Sequence, residues 1–184
     1  RLGRAAGPVG RGVARGEVPR AAPGSLPETN REGAAALYFP ACINRVFGGP
    51  GSNGSSRALP EVMVELSARA GKPVWIPPDV AGHCCGVPWS SKGHPEAHRW
   101  MANHTVASLW EWTNQAELPV VIDASSCTHG LAGEVAGVLD EENAERHAKL
   151  EILDSVAWAH GRLMPKLELG RRLRSVAVHP TCST

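Results

Sequence analysis

Cys42, the adjacent pair Cys84-Cys85 with Gly86 behind it, and Cys127 are the residues best equipped for chemistry in this chain. Thiolates are the ligands of soft metals and of iron–sulfur clusters. Two adjacent cysteines do not easily close on one tetrahedral zinc, and the usual zinc pattern of two Cys-x-x-Cys pairs is absent. Adjacent thiolates can instead each take a different iron of one cluster, and Gly86 lets the backbone approach the sulfurs closely. The residue types alone leave a second reading open, because unpaired cysteine is also among the most buried residue types. A fifth cysteine, Cys182, repeats an earlier context. Ala177-Val178-His179-Pro180-Thr181-Cys182 parallels Leu37-Tyr38-Phe39-Pro40-Ala41-Cys42, each an apolar run followed by Pro-x-Cys. The repeat predicts one whole cysteine-bearing unit and the first strand of a second, in a piece of a longer protein.

The elements that must position these thiols can be read from hydrophobic period. Residues 1–33 are rich in Gly, Pro, Ala and Arg and show no period, which predicts a flexible linker. Residues 35–39 form an apolar strand. Residues 44–56 follow as a loop containing Gly48, Gly49, Gly51 and Gly54. Leu59, Val62, Met63, Leu66 and Ala70 recur at three- and four-residue steps, which predicts a helix over 57–70 stopped by Gly71. A short strand at 73–76 ends at Pro77-Pro78, and the Cys pair lies in the loop beyond. His94 to Trp112 reads as a long helix with Pro95 in its first turn. Residues 119–123 read as a buried strand, and a helix runs from near Cys127 to about Leu139. A charged segment, Asp140 to Lys149, precedes an amphipathic helix over 150–164 and a last strand at 175–179. Strands alternating with helices predict an α/β fold: a mostly parallel sheet with crossover helices, Rossmann-like and three-layered. Ligands of such sheets collect at the carboxyl ends of the strands, which is where this order places Cys42, Cys84-Cys85 and Cys127.

Bulk properties set the limits. The chain has 184 residues, room for one domain and a tail, and 42% hydrophobic content, enough for a core. A net charge of +1 gives no reason to expect nucleic acid or an anionic membrane. Apolar runs such as Leu118–Ile122 are far too short to span a bilayer. Five cysteines, an odd number with two adjacent, argue against a disulfide scaffold and for reduced thiols in the cytoplasm.

The stretch His83-Cys84-Cys85-Gly86-Val87-Pro88-Trp89-Ser90-Ser91-Lys92-Gly93 resembles the signature of the CCG, or cysteine-rich, domain. That domain occurs in heterodisulfide reductase, in anaerobic glycerol-3-phosphate dehydrogenase and in lactate-utilisation proteins. Tyr38-Phe39-Pro40-Ala41-Cys42, the Cys-Cys-Gly stretch, Asp123-Ala124-Ser125-Ser126-Cys127-Thr128 and Val178-His179-Pro180-Thr181-Cys182 together resemble the C-terminal part of FAD-linked D-lactate dehydrogenases of the cytochrome type. The resemblance covers roughly residues 34–184. It implies residues 1–33 as the linker, 34–174 as the first CCG unit and 175–184 as the start of a second.

It further implies a 4Fe-4S type of cluster on Cys42, Cys84, Cys85 and Cys127, with Cys182 belonging to the incomplete second unit. FAD and the substrate chemistry would reside in another part of the protein. Electrons would pass from that flavin domain to a quinone or cytochrome acceptor at the inner face of a membrane. The fullest motif ends in Cys-x-x-Cys, and its first Cys falls here on Ala124. Four thiolates still suffice for one ordinary cluster. The departure keeps a different class of function open, a cluster-free docking module that assembles a redox complex.

Other residues carry weaker signals. His83, beside the Cys pair, and His129, two residues after Cys127, are candidates to hydrogen-bond a cluster sulfur. His94 and His98 are four apart on a helix, compatible with a metal pair or with a solvated helix face. The loop from Gly48 to Gly54 lacks the Gly-Lys-Ser/Thr ending of a phosphate-binding loop. Trp100 and Trp158 are expected to pack against the sheet, and Trp89 to shield the site from water.

Overall fold

Two apolar runs, Ala36–Phe39 (β1) and Val120–Ile122 (β3), form the centre of the molecule and are almost wholly inaccessible to solvent. They pair in parallel, Leu37 opposite Val120 and Phe39 opposite Ile122. A strand covered on both faces reads as an unbroken apolar run, and these do. The computed structural model describes residues 21–22, 24–48, 57–168, 170, 174, 175 and 177. Val74–Trp75 (β2) adds to the free edge of β1, and Ile152–Asp154 (β4) adds to the free edge of β3. The order β2-β1-β3-β4 is parallel throughout.

The helices are α1 (Cys42–Val46), α2 (Leu59–Arg69), α3 (Val87–Ser91), α4 (Pro95–Trp112), α5 (Ser125–Ala132), α6 (Glu141–His147) and α7 (Ser155–Trp158). The chain leaves β1 for β2 on one side, then returns past β1 to β3 on the other. Right-handed crossovers in opposite directions put α2 and α4 on opposite faces of the sheet. The packing agrees: α2 meets the helical turns after β4, with Trp158 Nε1 donating to Ser67 Oγ at 3.2 Å, while α4 meets α3, α6 and the turn at 134–138. The result is a Rossmann-like three-layer α/β fold.

Local signals explain most boundaries. The Glu61 carboxylate accepts the Ala58 amide at the start of α2, and Gly71, at φ +66°, ends it. Pro95 opens α4, which buries His98, Ala102, Thr105, Val106, Leu109 and Trp112 as one stripe. Asp140 caps α6 by accepting the Asn143 amide at 2.9 Å. Among the described residues no helix is long and apolar enough to cross a membrane.

The largest departure from expectation lies at 150–164. The amphipathic helix predicted there is instead β4, followed by α7 and further helical turns to Lys166. Leu150, Ile152, Leu153 and Val156 fit a helical step, but a short apolar run fits a strand equally well. The free edge of β3 decides: its backbone groups are paired by this segment, beginning with Val120 N–H to Glu151 C=O at 2.8 Å. Asp154 then caps α7 by accepting the Val156 amide at 2.8 Å. The strand expected at 175–179 falls largely outside the described residues; among the described residues the fourth strand of the sheet is β4, paired with β3.

Smaller corrections follow. Cys42 to Val46 is a helical turn where a loop was expected from residue 44, and the rest of the glycine-rich loop, 49–56, lies outside the described residues. The helix over Cys127 stops at Ala132, and a tighter turn, Glu134–Val138, follows Gly133. Trp158 packs against the sheet as expected, but Trp100 is 63% exposed.

Of the predicted linker, residues 1–20 lie outside the described residues. Residues 24–33 are irregular yet attached to the domain. Thr29 Oγ1 accepts the Ile76 amide at 2.8 Å, and the Arg31 guanidinium lies 5.0 Å from the centre of the Trp75 ring.

Candidate functional site

Each cysteine-bearing segment leaves the carboxyl end of a strand. Phe39 ends β1, and Cys42 opens α1 three residues later. Beyond β2 the chain makes a turn at Val80–Gly82, extends through His83 to Cys85 and reverses at Gly86 into α3. After β3, Asp123 and Ala124 lead into α5, whose third residue is Cys127. Connections diverge between β1 and β3, which makes that edge the switch point where open α/β sheets bind ligands.

The four thiols form a row. Cys85 Sγ donates to Cys127 Sγ at 3.2 Å, and Cys42, Cys84 and Cys85 lie close enough in turn for each thiol to perturb the ionisation of the next. The hydrogen bond to Cys84, then burial, pushes the Cys42 thiol far above its usual range. At Cys84 the bond from Cys42 pulls downward, but the bond to Cys85 and burial win, and the thiol is raised. The bond to Cys127 pushes Cys85 up to about 12. Cys127 is the terminal acceptor, and the bond from Cys85 lowers it. Cys127 is therefore the thiol readiest to ionise, in the first turn of a helix, where a negative charge is favoured.

Buried polar contacts hold the three segments in place. Asp123 joins two of them: Oδ2 accepts the Tyr38 hydroxyl at 2.5 Å, and Oδ1 accepts the Ala41 amide at 2.7 Å. Burial nevertheless pushes the Asp123 carboxyl up, and it raises the Tyr38 hydroxyl as well, with the neighbouring Asp123 charge adding to the rise. Arg45 ties α1 to the second segment by donating to Val80 C=O at 2.8 Å and His83 C=O at 2.6 Å. From α4, Thr105 Oγ1 donates to Cys84 C=O at 3.0 Å.

Two glycines allow the Cys85 segment to lie between α4 and α5. Gly86 has φ +84°, and a Cβ there would fall 2.8 Å from the His98 ring. A Cβ on Gly130 of α5 would fall 2.2 Å from Val87 Cγ2. In the sequence, Tyr38 and Asp123 stand inside motifs with no role of their own, and His98 reads only as a metal ligand or a solvated residue. His98 is instead buried. Its place on the inward stripe of α4, four residues before Ala102, was the signal that could have located it.

The candidates for hydrogen bonds to the sulfurs are placed differently from one another. Gly86 adjoins Cys85 directly. His83 is buried, but both ring nitrogens are committed, Nδ1 to Asp79 C=O at 3.1 Å and Nε2 to Ser108 Oγ at 2.8 Å. Its ring stacks on His104 at 4.4 Å, and His104 stacks on the exposed Trp100 at 4.9 Å. His129 is exposed, with Nε2 3.6 Å from a Glu134 carboxylate oxygen. Cys182 lies outside the described residues.

A cavity of about 640 Å³ opens over the Cys42 end of the row. Cys42 and Cys84 form part of its floor, with Arg45, Trp89, Met101 and Leu26 among its walls. Its volume is in the range of small-molecule sites. Among the described residues, no three Cys, His, Asp or Glu side chains close around one point as a single metal ion requires.

No family model matches this chain, and no solved structure matches it. Two curated proteins do, each one of the subunits of an anaerobic glycerol-3-phosphate dehydrogenase, from Escherichia coli strain K12 and from Escherichia coli O157:H7. Each is 28% identical over 102 residues, covering 54% of this chain and 25% of the relative. The likeness thus spans about half of this chain and a quarter of each relative, and it is to one component of a dehydrogenase rather than to a whole enzyme.

Proposed function

We propose that this chain is the iron–sulfur electron-transfer part of a flavin-linked dehydrogenase. The observation that carries the reading is the row of four thiols at the switch-point edge of the parallel sheet, drawn from three segments remote in sequence. Among the described residues no three of these donors close around one point, as a single ion needs. The row suits a group with several irons, each taking one thiolate. Cys42, Cys84, Cys85 and Cys127 would hold that group, and Ala124 would add no fifth thiolate. The bound group would supply one-electron redox chemistry. The chain's own part is to fix the ligands through Asp123, Arg45 and Thr105, and to limit water on the cavity side through Trp89 and Met101.

The similarity to part of a glycerol-3-phosphate dehydrogenase supports a role as an oxidoreductase component. The motif resemblance extends the proposal to FAD bound elsewhere in the protein, to a 2-hydroxy acid of the D-lactate type as its substrate, and to a quinone or cytochrome as acceptor. Under this reading residues 34–174 are one CCG unit and Cys182 belongs to the next.

The test is iron and acid-labile sulfide in anaerobically purified protein, with and without reconstitution. Wild type is expected to be brown and to hold both. Single replacement of Cys42, Cys84, Cys85 or Cys127 by Ala should lower the iron content, and Cys182→Ala should leave it intact. Wild type that stays colourless after reconstitution overturns the proposal and leaves the cluster-free docking role.

A further inference from the structure

His98 carries a buried hydrogen-bonding atom that the described residues leave without a partner. The residue is 6% exposed, and its Nε2 is buried and unpaired. Such an atom is destabilising unless something satisfies it. The other buried unpaired side-chain atom, Arg45 Nε, belongs to a guanidinium already held by two carbonyls. His98 has no such second anchor on its ring among the hydrogen bonds of the described residues.

Its position gives the missing partner a chemical class. The ring edge stands where Gly86 lacks a side chain, 2.8 Å from Cδ2 and 3.2 Å from Nε2 to the place a Cβ would take. Gly86 follows Cys85, whose sulfur touches Cys127. Nε2 is therefore buried beside the Cys85–Gly86 backbone, on the α4 side of the thiol row. As thiols, Cys85 and Cys127 are engaged with each other. Thiolates and inorganic sulfide are stronger acceptors, and their arrival would give a buried N–H donor something to bind.

We infer that His98 is a positioning residue for the group held by the cysteine row, donating Nε2–H to one of its sulfurs. The inference rests on the iron–sulfur reading of that site. A hydrogen bond to a cluster sulfur is one of the features that set reduction potential, because it stabilises the more negative, reduced form. The His98 ring would then raise the potential of the centre without ligating iron. The transfer it tunes is a single electron, leaving a flavin donor that is oxidised and reducing the centre.

The experiment compares wild type, His98→Gln and His98→Met after anaerobic reconstitution, with iron content and midpoint potential as readouts. Gln keeps an N–H donor, whereas Met has similar length and none. All three proteins are expected to hold the same iron. The Met variant should shift the redox equilibrium at least tenfold toward the oxidised form, which is about 59 mV for one electron, and Gln should stay closer to wild type. Iron-replete protein in which Met leaves the potential unchanged, or in which Gln and Met shift it equally, overturns the role of His98 alone. Wild type that takes up no iron overturns the reading of the site beneath it.

Discussion

The Tyr38 hydroxyl donates to Asp123 Oδ2 at 2.5 Å, and both residues are buried at the ends of adjacent central strands. With its other oxygen on the Ala41 amide, Asp123 sets the direction in which the chain leaves β1 toward Cys42. The carboxylate thus links the segment bearing Cys42 to the one bearing Cys127, although neither sulfur touches it through a hydrogen bond.

Removing that link has a graded cost. Tyr38→Phe leaves one buried carboxylate oxygen without its donor and should lower stability by about 1–3 kcal/mol. Asp123→Ala leaves both the Tyr38 hydroxyl and the Ala41 amide unpaired and should cost more. Urea unfolding followed by circular dichroism measures both. Equal or negligible losses would mean that water replaces the carboxylate and that the link does not hold the segments.

Gly130 tests the close approach of α5 to the Cys85 segment. A methyl group there would sit 2.2 Å from Val87 Cγ2, and the Cys85 carbonyl is 3.6 Å from the same point. Gly130→Ala should destabilise the fold by about 1–3 kcal/mol through overpacking. Val87→Ala in the same chain removes the obstructing methyls, so the double variant should be more stable than the two single costs added together. Simple additivity of the two costs in urea unfolding would show that the two side chains do not compete for space.

Much of this arrangement was legible in the sequence because the informative signals are local. The unbroken apolar runs at Ala36–Phe39 and Val120–Ile122 announce strands buried on both faces. Gly71 and Pro95 mark helix ends whose conformational demands few other residues meet. Alternation of strands and helices then places Cys42, Cys84-Cys85 and Cys127 at one sheet edge. What remained hidden depends on partners distant in sequence. Ile152–Asp154 is a strand because β3 has a free edge, which no window around residue 152 reveals. Asp123 becomes a buried anchor only once Tyr38 and Ala41 arrive from β1. Trp100 fits an apolar stripe by type, yet its rotation about α4 turns it outward onto His104.

His83 makes acid a probe of the same region. Burial holds its imidazole below the ordinary value, and its two ring nitrogens are engaged by Asp79 C=O and Ser108 Oγ. The hydrogen bond to Asp79 C=O pulls the other way, while His104, which stacks on the ring, and Arg45 nearby add to the fall by opposing a positive charge. The unfolded chain takes up the proton near pH 6.5, about the ordinary value for histidine. The folded chain resists until a lower pH. Between the two the unfolded state binds more protons, so the stability His83 contributes is complete above that ordinary value and is lost as pH falls through the folded one. The urea midpoint of wild type should therefore drop between about pH 7 and about pH 5. In His83→Gln, which can keep a donor and an acceptor in place but cannot titrate, the drop should be smaller. Matching pH profiles for the two proteins would assign the acid sensitivity to other groups and leave the burial of His83 without a thermodynamic signature.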